Sequence, residues 1–288
     1  MLGYVCKYTP MELFEAMDTE ITRLEPSVTD FNHADTLMHA NICSYTKAVL
    51  EDVMEHDYEG VILTTCCDSI RRLYDTLKSQ FPDKFFFLLD IPRKFNDFAV
   101  TLYERQLKQM LTEYEAFSGK TLDLKRFVSM MQNKAALKKQ ENTRMSASAA
   151  SEKGNGQKLN IGIMGARCNN EIRQLLVDRG ANLLFDLTCT GLARDFSITE
   201  NQVLHSYAAA LLNQIPCMRM LKAANREHFL DGFTDRLDGI IYHTVKFCDS
   251  YSYEYADFRQ RLDLPILLVE TDSTRQCAGQ VRTRVEAF

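Results

Sequence analysis

Short, mostly apolar segments alternate with amphipathic segments along this chain, and this alternation constrains the fold more than any other feature. The apolar segments are rich in β-branched or aromatic residues, and they are residues 60–65, 85–89, 159–164, 182–187, 239–245 and 265–270. The segments between them carry apolar residues at helical spacing, as Ile70, Leu73 and Leu77 do. Buried strands that alternate with helices predict mainly parallel sheets covered on both faces, and therefore an α/β fold.

A polar stretch rich in Ser, Ala, Gly and Lys, residues 138–158, interrupts this alternation. Its composition is typical of a linker or an exposed loop. It divides the 288 residues into segments 1–137 and 159–288, and each is long enough for its own α/β domain. We therefore predict an N-terminal α/β domain, a linker and a C-terminal α/β domain, with both domains doubly wound.

The composition excludes several classes of protein. A net charge of −5 argues against a general nucleic-acid binder, which normally has a basic surplus. No apolar run approaches the roughly 18 residues that span a bilayer, and residues 1–14 lack the basic and apolar regions of a signal peptide. No Walker lysine follows the strand at 159–164, so we do not expect this chain to hydrolyse ATP. We expect a cytoplasmic protein that binds neither nucleic acid nor membranes.

Nine cysteines are the unusual part of the composition. In a reducing compartment, grouped cysteines more often bind metal or carry out redox chemistry than form disulfides. Several stand where a predicted strand ends or a predicted helix begins, namely Cys43, Cys66, Cys67, Cys189 and Cys248. Open α/β sheets bind ligands at that edge, and helix N-termini favour the thiolate form. The alternative for any single cysteine is packing as a small apolar residue, which we expect for Cys6 and Cys277.

The spacing of these residues narrows the choice of metal. The sequence has no C-x₂₋₄-C pair and no H-E-x-x-H element, which are typical of zinc sites. Dispersed thiolates without histidine favour an iron–sulfur cluster.

Five sets of segments, in order along nearly the whole chain, resemble the 2-hydroxyacyl-CoA dehydratase and benzoyl-CoA reductase family. They are MLGYVCKYTP at 1–10, NICSY at 41–45, CDSIRRLYD at 67–75 with LDIPR at 89–93, CTG at 189–191, and DGIIYHTVKFCD at 238–249 with QVRTRVEAF at 280–288. Each motif is weak alone, but the ordered set is specific. The chain is shorter than typical members of the family.

The resemblance implies two flavodoxin-like domains with a cluster site between them. Carried over position by position, the ligands of an oxygen-sensitive 4Fe–4S cluster are Cys43, Cys67 and Cys248, with Cys66 as a neighbour. It also implies a partner subunit of the same fold, in a hetero- or homodimer, and an ATP-dependent iron–sulfur activator protein. The implied enzyme is a lyase or a related reductase: in the lyase, one low-potential electron from the activator converts an (R)-2-hydroxyacyl-CoA substrate to a ketyl radical, which loses the 2-hydroxyl group. No catalytic acid or base stands out in the sequence.

Two alternatives remain open at this point. Cys189, Cys217 and Cys168 resemble positions that help to bind a second cubane in relatives with a double-cubane 8Fe–9S cluster. Six thiolates would then make the chain a stand-alone reductase of small molecules. The other alternative is a non-catalytic scaffold subunit that kept the fold and whose cysteines only pack.

Overall fold

The computed structural model describes residues 1–149, 158–168, 170–190, 198–220 and 229–288. The first half of the chain forms a sheet of four parallel strands in the order β2-β1-β3-β4. Its strands are β1 (Leu2–Tyr4), β2 (Ile21–Arg23), β3 (Gly60–Thr64) and β4 (Phe85–Leu89). The second half forms a matching parallel sheet in the order β6-β5-β7-β8. Its strands are β5 (Asn160–Gly165), β6 (Asn182–Thr188), β7 (Gly239–Val245) and β8 (Ile266–Thr271).

Helices connect the strands of each sheet. In the first half they are α1 (Met11–Ala16), α2 (Asn32–Leu37), α3 (Ser44–Glu55), α4 (Asp68–Gln80), α5 (Asp97–Ser118) and α6 (Leu124–Ala149). In the second half they are α7 (Asn170–Asp178), α8 (Val203–Leu212), α9 (Asp249–Arg261) and α10 (Ala278–Ala287), with short 3₁₀ turns at Glu200–Gln202, Thr234–Arg236 and Arg275–Cys277. Among the described residues, no helix is both long and apolar enough to cross a membrane.

The elements follow from local sequence. All five residues of β3 are buried, as expected for a central strand with helices on both sides. Helix α5 begins where the Asn96 side chain accepts a hydrogen bond from the amide of Ala99 at 2.8 Å. It ends at Gly119, whose left-handed φ of 72° closes the last turn. Caps of this kind fix where each helix starts and stops beside its sheet.

Gly165 turns the chain at the end of β5 toward the other sheet. Its φ is +106°, and a Cβ atom there would lie 2.0 Å from the carbonyl oxygen of His243 in β7. Only glycine tolerates both the conformation and the close approach. The next amide, that of Ala166, donates to the same carbonyl at 2.7 Å, which directs Arg167 toward the first half of the chain.

The described residues form three apolar cores, and the two sheets share one of them. This shared core joins Val61 and Leu63 of β3 to Met164 of β5 and to Ile240 and Tyr242 of β7. A parallel bridge between Val28 and Thr274 also links the halves. The carboxyl ends of the central strands therefore face one another across the interface between the sheets.

One segment of the second half packs on the first. The side chain of Tyr207 in α8 is fully buried in the core of the first sheet, with its ring 5.1 Å from that of Phe127.

Helix α6 continues to Ala149, so the early part of the polar segment 138–158 is helical rather than a loop, and residues 150–157 lie outside the described residues. The predicted α/β class with two parallel, flavodoxin-like sheets is confirmed. The boundaries 1–137, 138–158 and 159–288 stay a prediction, and α8 packs into the core of the first sheet.

Candidate metal centre

Three cysteines stand at the same structural position, immediately before the first residue of a helix. Cys43 is the N-cap of α3, Cys67 is the N-cap of α4, and Cys248 is the N-cap of α9. These helices have 12, 13 and 13 residues. The unpaired amides and the positive dipole end of a helix favour a thiolate at this position. Cys67 and Cys248 also follow β3 and β7 closely, at the edge where parallel sheets bind ligands.

A cavity of about 120 Å³ between the two sheets brings these three residues together with four other cysteines. The seven cysteines in its wall are Cys6, Cys43, Cys66, Cys67, Cys189, Cys217 and Cys248. Apolar side chains, such as Val5, Ile70 and Val245, form much of the remaining wall. Both halves of the chain contribute thiols, so the cavity exists only when the two sheets are docked.

The thiols of Cys43 and Cys248 form a hydrogen-bonded pair across the domain interface. The bond from Cys248 lowers the pKa of Cys43 to about 7, and the amides of Thr46 and Tyr45 act in the same direction. The same pairing raises the pKa of Cys248 well above its ordinary value. Of the two thiols, Cys43 therefore loses its proton more readily.

A second contact series begins at Cys6. Its thiol is hydrogen-bonded to Cys66, which is in turn hydrogen-bonded to Cys67. The bond to Cys66, followed by burial, raises the pKa of Cys6. For Cys66, the bond with Cys6 lowers the pKa, but the bond with Cys67 and burial outweigh it and the net pKa is raised. Cys6, Cys66 and Cys67 therefore influence one another's protonation in the wall of the cavity.

Cys189 and Cys217 lie on the side of the cavity formed by the second half. The sulfur of Cys189 is 2.8 Å from the hydroxyl of Tyr251. Burial and the neighbouring Cys217 raise the pKa of Cys189 to about 11. The Cys217 thiol interacts electrostatically with Cys6, and burial raises its pKa. Cys6, Cys189 and Cys217 thus form a second group of thiols, within which the charge of one cysteine raises the pKa of another.

Cys168 is not in this cavity. Its side chain is fully buried, and its amide and carbonyl both bond the hydroxyl of Thr190, at 3.4 and 3.1 Å. It lines a separate polar cavity with Glu25 and His243. The structure brings together all the other cysteines that the sequence singled out as ligands. It adds Cys6, which was expected only to pack, while the side chain of Cys277 lies outside the described residues.

Three cations are built into the cavity wall: Lys7, Arg167 and Arg219. Lys7 is only 7% exposed and donates to the carbonyl of Ile215. Charged groups this deeply placed cost free energy unless an opposite charge compensates them. Thiols alone supply little negative charge at neutral pH, whereas several thiolates bound to a metal cluster would each supply one negative charge. The cations therefore suit an anionic occupant.

Arg167 also fixes the geometry of the interface. Its guanidinium donates to the carbonyl of Val5 and, at 3.1 Å, to that of Leu24. The group lies 4.1 Å from the centre of the Tyr45 ring and 4.0 Å from the Glu25 carboxylate. A residue of the second sheet thus binds the carboxyl ends of β1 and β2 in the first.

The arrangement of sulfur atoms fits a polynuclear cluster better than a single ion. Among the described residues, no three His, Cys, Asp or Glu side chains converge tightly enough to hold one metal ion. A zinc ion needs four ligands about 2.0–2.3 Å from one point. An iron–sulfur cubane binds each thiolate through a different iron atom, so its ligands surround a volume. Thiols spread around a cavity meet that requirement.

Two parallel α/β units with a cavity between them that cysteines and cationic side chains line define a two-sheet α/β protein. The family model described as 2-hydroxyglutaryl-CoA dehydratase, D-component, matches residues 6–152 and 128–288. Because these matches cover nearly the whole chain, the protein belongs to this family and is a component of the 2-hydroxyacyl-CoA dehydratase type. No curated protein matches the chain.

Proposed function

We propose that the cysteine-lined cavity holds a 4Fe–4S cluster bound by Cys43, Cys67 and Cys248, and that the chain is the iron–sulfur component of a 2-hydroxyacyl-CoA dehydratase-like enzyme. The observation that carries the proposal is that three cysteines from three separate helix N-termini face one cavity. Their positions agree with the ligand set that the family resemblance implies. When bound, such a cluster supplies one-electron transfer at a tunable potential.

The chain's own residues have three roles in this proposal. The helix N-termini stabilise the thiolates, and Cys43 is already poised to lose its proton near neutral pH. The apolar wall formed by Val5, Ile70 and Val245 limits access of water. Lys7, Arg167 and Arg219 compensate the negative charge that the thiolates introduce. Each role belongs to holding and tuning a cluster rather than to acid–base chemistry.

The reaction we propose is elimination of water from an (R)-2-hydroxyacyl-CoA after transfer of one low-potential electron. The family resemblance implies that the electron comes from a separate ATP-dependent activator, and this sequence, which has no Walker lysine, agrees with that division. A second subunit of the same fold completes the enzyme. We expect activity only when activator, ATP, reductant and partner are all present, and activity without the activator would refute this mechanism.

Matched cysteine variants test the cluster site. Cys67→Ser removes a proposed ligand, and Cys168→Ser changes a buried cysteine outside the cavity. We expect Cys67→Ser to lose most of its iron and acid-labile sulfide after anaerobic reconstitution, while Cys168→Ser keeps the wild-type content. Equal iron in Cys67→Ser and the wild type would refute the ligand assignment.

A double-cubane cluster is the second candidate, and one observation favours it. Cys189 and Cys217 line the same cavity as the three N-cap cysteines, and Cys6 joins them in the place expected for Cys168. Six thiolates then surround one volume. Cys189→Ala distinguishes the two candidates: unchanged iron supports the single cluster, and a loss of about half from a starting value near eight supports the double cubane.

A further inference from the structure

Arg219 connects the segment that carries Cys217 to the residues that follow β3. It follows Cys217 by two residues in the segment that leads away from α8. One nitrogen of its guanidinium, Nη2, donates to the carbonyl of Thr65 at 3.1 Å and to that of Ile91 at 3.2 Å. Thr65 directly precedes Cys66, so these two bonds hold the guanidinium beside the cysteines that end β3.

Within the part of the chain that the structure describes, no group accepts a hydrogen bond from the other two guanidinium nitrogens of Arg219. Nε and Nη1 are buried, and neither has a hydrogen-bond partner among the described residues. Both carry N–H groups, and an arginine keeps its charge at any physiological pH. Buried donors without an acceptor are rare in native proteins because their desolvation is not repaid. Their presence in the wall of this cavity indicates an acceptor that binds there.

Arg167 provides an internal comparison. It lines the same cavity, yet its guanidinium donates to the carbonyls of Val5 and Leu24 and lies against the ring of Tyr45. None of its nitrogens is a buried donor without a partner. Two arginines of equal charge thus face one cavity, and only Arg219 has buried N–H groups left for an occupant.

We infer that Arg219 donates hydrogen bonds from Nε and Nη1 to sulfur atoms of the bound cluster and thereby raises its reduction potential. The inference rests on the proposed function. Hydrogen bonds to cluster sulfur and nearby positive charge stabilise the reduced form, which carries one more negative charge than the oxidised form. Arg219 is then a cofactor-binding residue that sets the potential, in addition to joining the segment that carries Cys217 to the first sheet.

The test compares variants of Arg219 with a control at Arg282, whose side chain is 67% exposed and lies outside the cavity. Arg219→Lys and Arg282→Lys both keep the positive charge and lose the planar guanidinium, and Arg219→Met also removes the charge. Each protein is reconstituted anaerobically, its iron is counted, and its midpoint potential is measured by redox titration followed by electron paramagnetic resonance. We expect Arg219→Met to lower the equilibrium constant for one-electron reduction at least tenfold, which is a shift of about 59 mV. Arg219→Lys should fall between Arg219→Met and the wild type, and Arg282→Lys should stay near the wild type.

Four outcomes decide the inference. A lowered potential in both Arg219 variants at wild-type iron content supports it. An unchanged potential, or an equal shift in Arg282→Lys, overturns it. If both Arg219 variants lose the cluster, the residue holds the cofactor rather than setting its potential, and this also overturns the inference. A wild-type protein that binds no iron at all overturns the proposed function itself, which separates the two failures.

Discussion

Tyr207 is the residue through which α8 is anchored in the first core, and replacing it with phenylalanine tests that anchoring. Its hydroxyl donates to Oε2 of Glu12 at 2.5 Å, and the two side chains are 0% and 3% exposed. Tyr207→Phe keeps the edge-to-face packing on Phe127 and removes the polar contact with Glu12. Hydrogen bonds to charged groups contribute about 1.5–3 kcal/mol, so we expect a loss of that size in unfolding free energy. At roughly 2–4 °C per kcal/mol, the melting temperature falls by about 3–12 °C.

The assay is urea and thermal unfolding followed by circular dichroism at matched iron content. Tyr253→Phe is the control because Tyr253 is 78% exposed, and it should change stability by less than about 0.5 kcal/mol. A double-mutant cycle with Glu12→Gln should give a coupling energy of about 0.5–3 kcal/mol. If Tyr207→Phe behaves like the exposed control, α8 is not anchored as described and the placement of Cys217 in the cavity loses its support.

Two further perturbations test the second sheet. Burial lowers the pKa of His243 to about 4, so the unfolded chain takes up its proton first as pH falls. The free energy of unfolding therefore has its full value above pH 6.5 and decreases as the pH falls from 6.5 toward 4. We expect it to be reduced by roughly 2 kcal/mol at pH 5. Urea unfolding of His243→Gln at pH 7 and 5 should show a pH dependence that is smaller by this amount. A His243→Gln protein with the wild-type pH dependence would contradict this. Gly165→Ala places a Cβ against the His243 carbonyl at a φ of +106°, and it should lower the free energy of unfolding by about 1–3 kcal/mol or more in the same assay. Gly180→Ala is the control and should cost less, because no atom lies within 4 Å of its added Cβ. Equal losses in the two variants would contradict the close approach at Gly165.

The longer strands of both sheets could be predicted because burial on both faces demands continuous apolar runs. Residues 60–65, 85–89 and 239–245 each contain or match a strand of the structure. The two short strands at the start of the chain, Leu2–Tyr4 and Ile21–Arg23, could not be predicted in this way. Three residues are too few to show a period, and only pairing within the sheet makes them strands.

The position of α8 depends on contacts that are distant in sequence. Its apolar residues predict a helix, but nothing local indicates that Tyr207 packs against Phe127 in the other half of the chain. Helix α6 likewise extends into a polar segment whose composition is typical of a loop. Lys, Glu, Ala and Met in that segment have high helix propensity, and this favours a helix although the polar composition is typical of a loop.

Three cysteines of the site could be predicted from the sequence for a simple physical reason. Cys43, Cys67 and Cys248 directly precede helices, and strand–helix junctions of parallel sheets collect at one edge. Cys6 was missed because the strand before it is only three residues long. The remote location of Cys168 depends on the turn at Gly165 and on its bonds with Thr190, which only the folded backbone shows.

The most direct test of the central claim is the iron and acid-labile sulfide content per chain after strictly anaerobic purification and reconstitution, with an electronic spectrum before and after exposure to air. The account predicts about four iron and four sulfide per chain, with a visible absorption that bleaches in air. A value near eight supports the double cubane in the same cavity. A colourless protein without iron contradicts the claim that the seven cysteines surround a cluster.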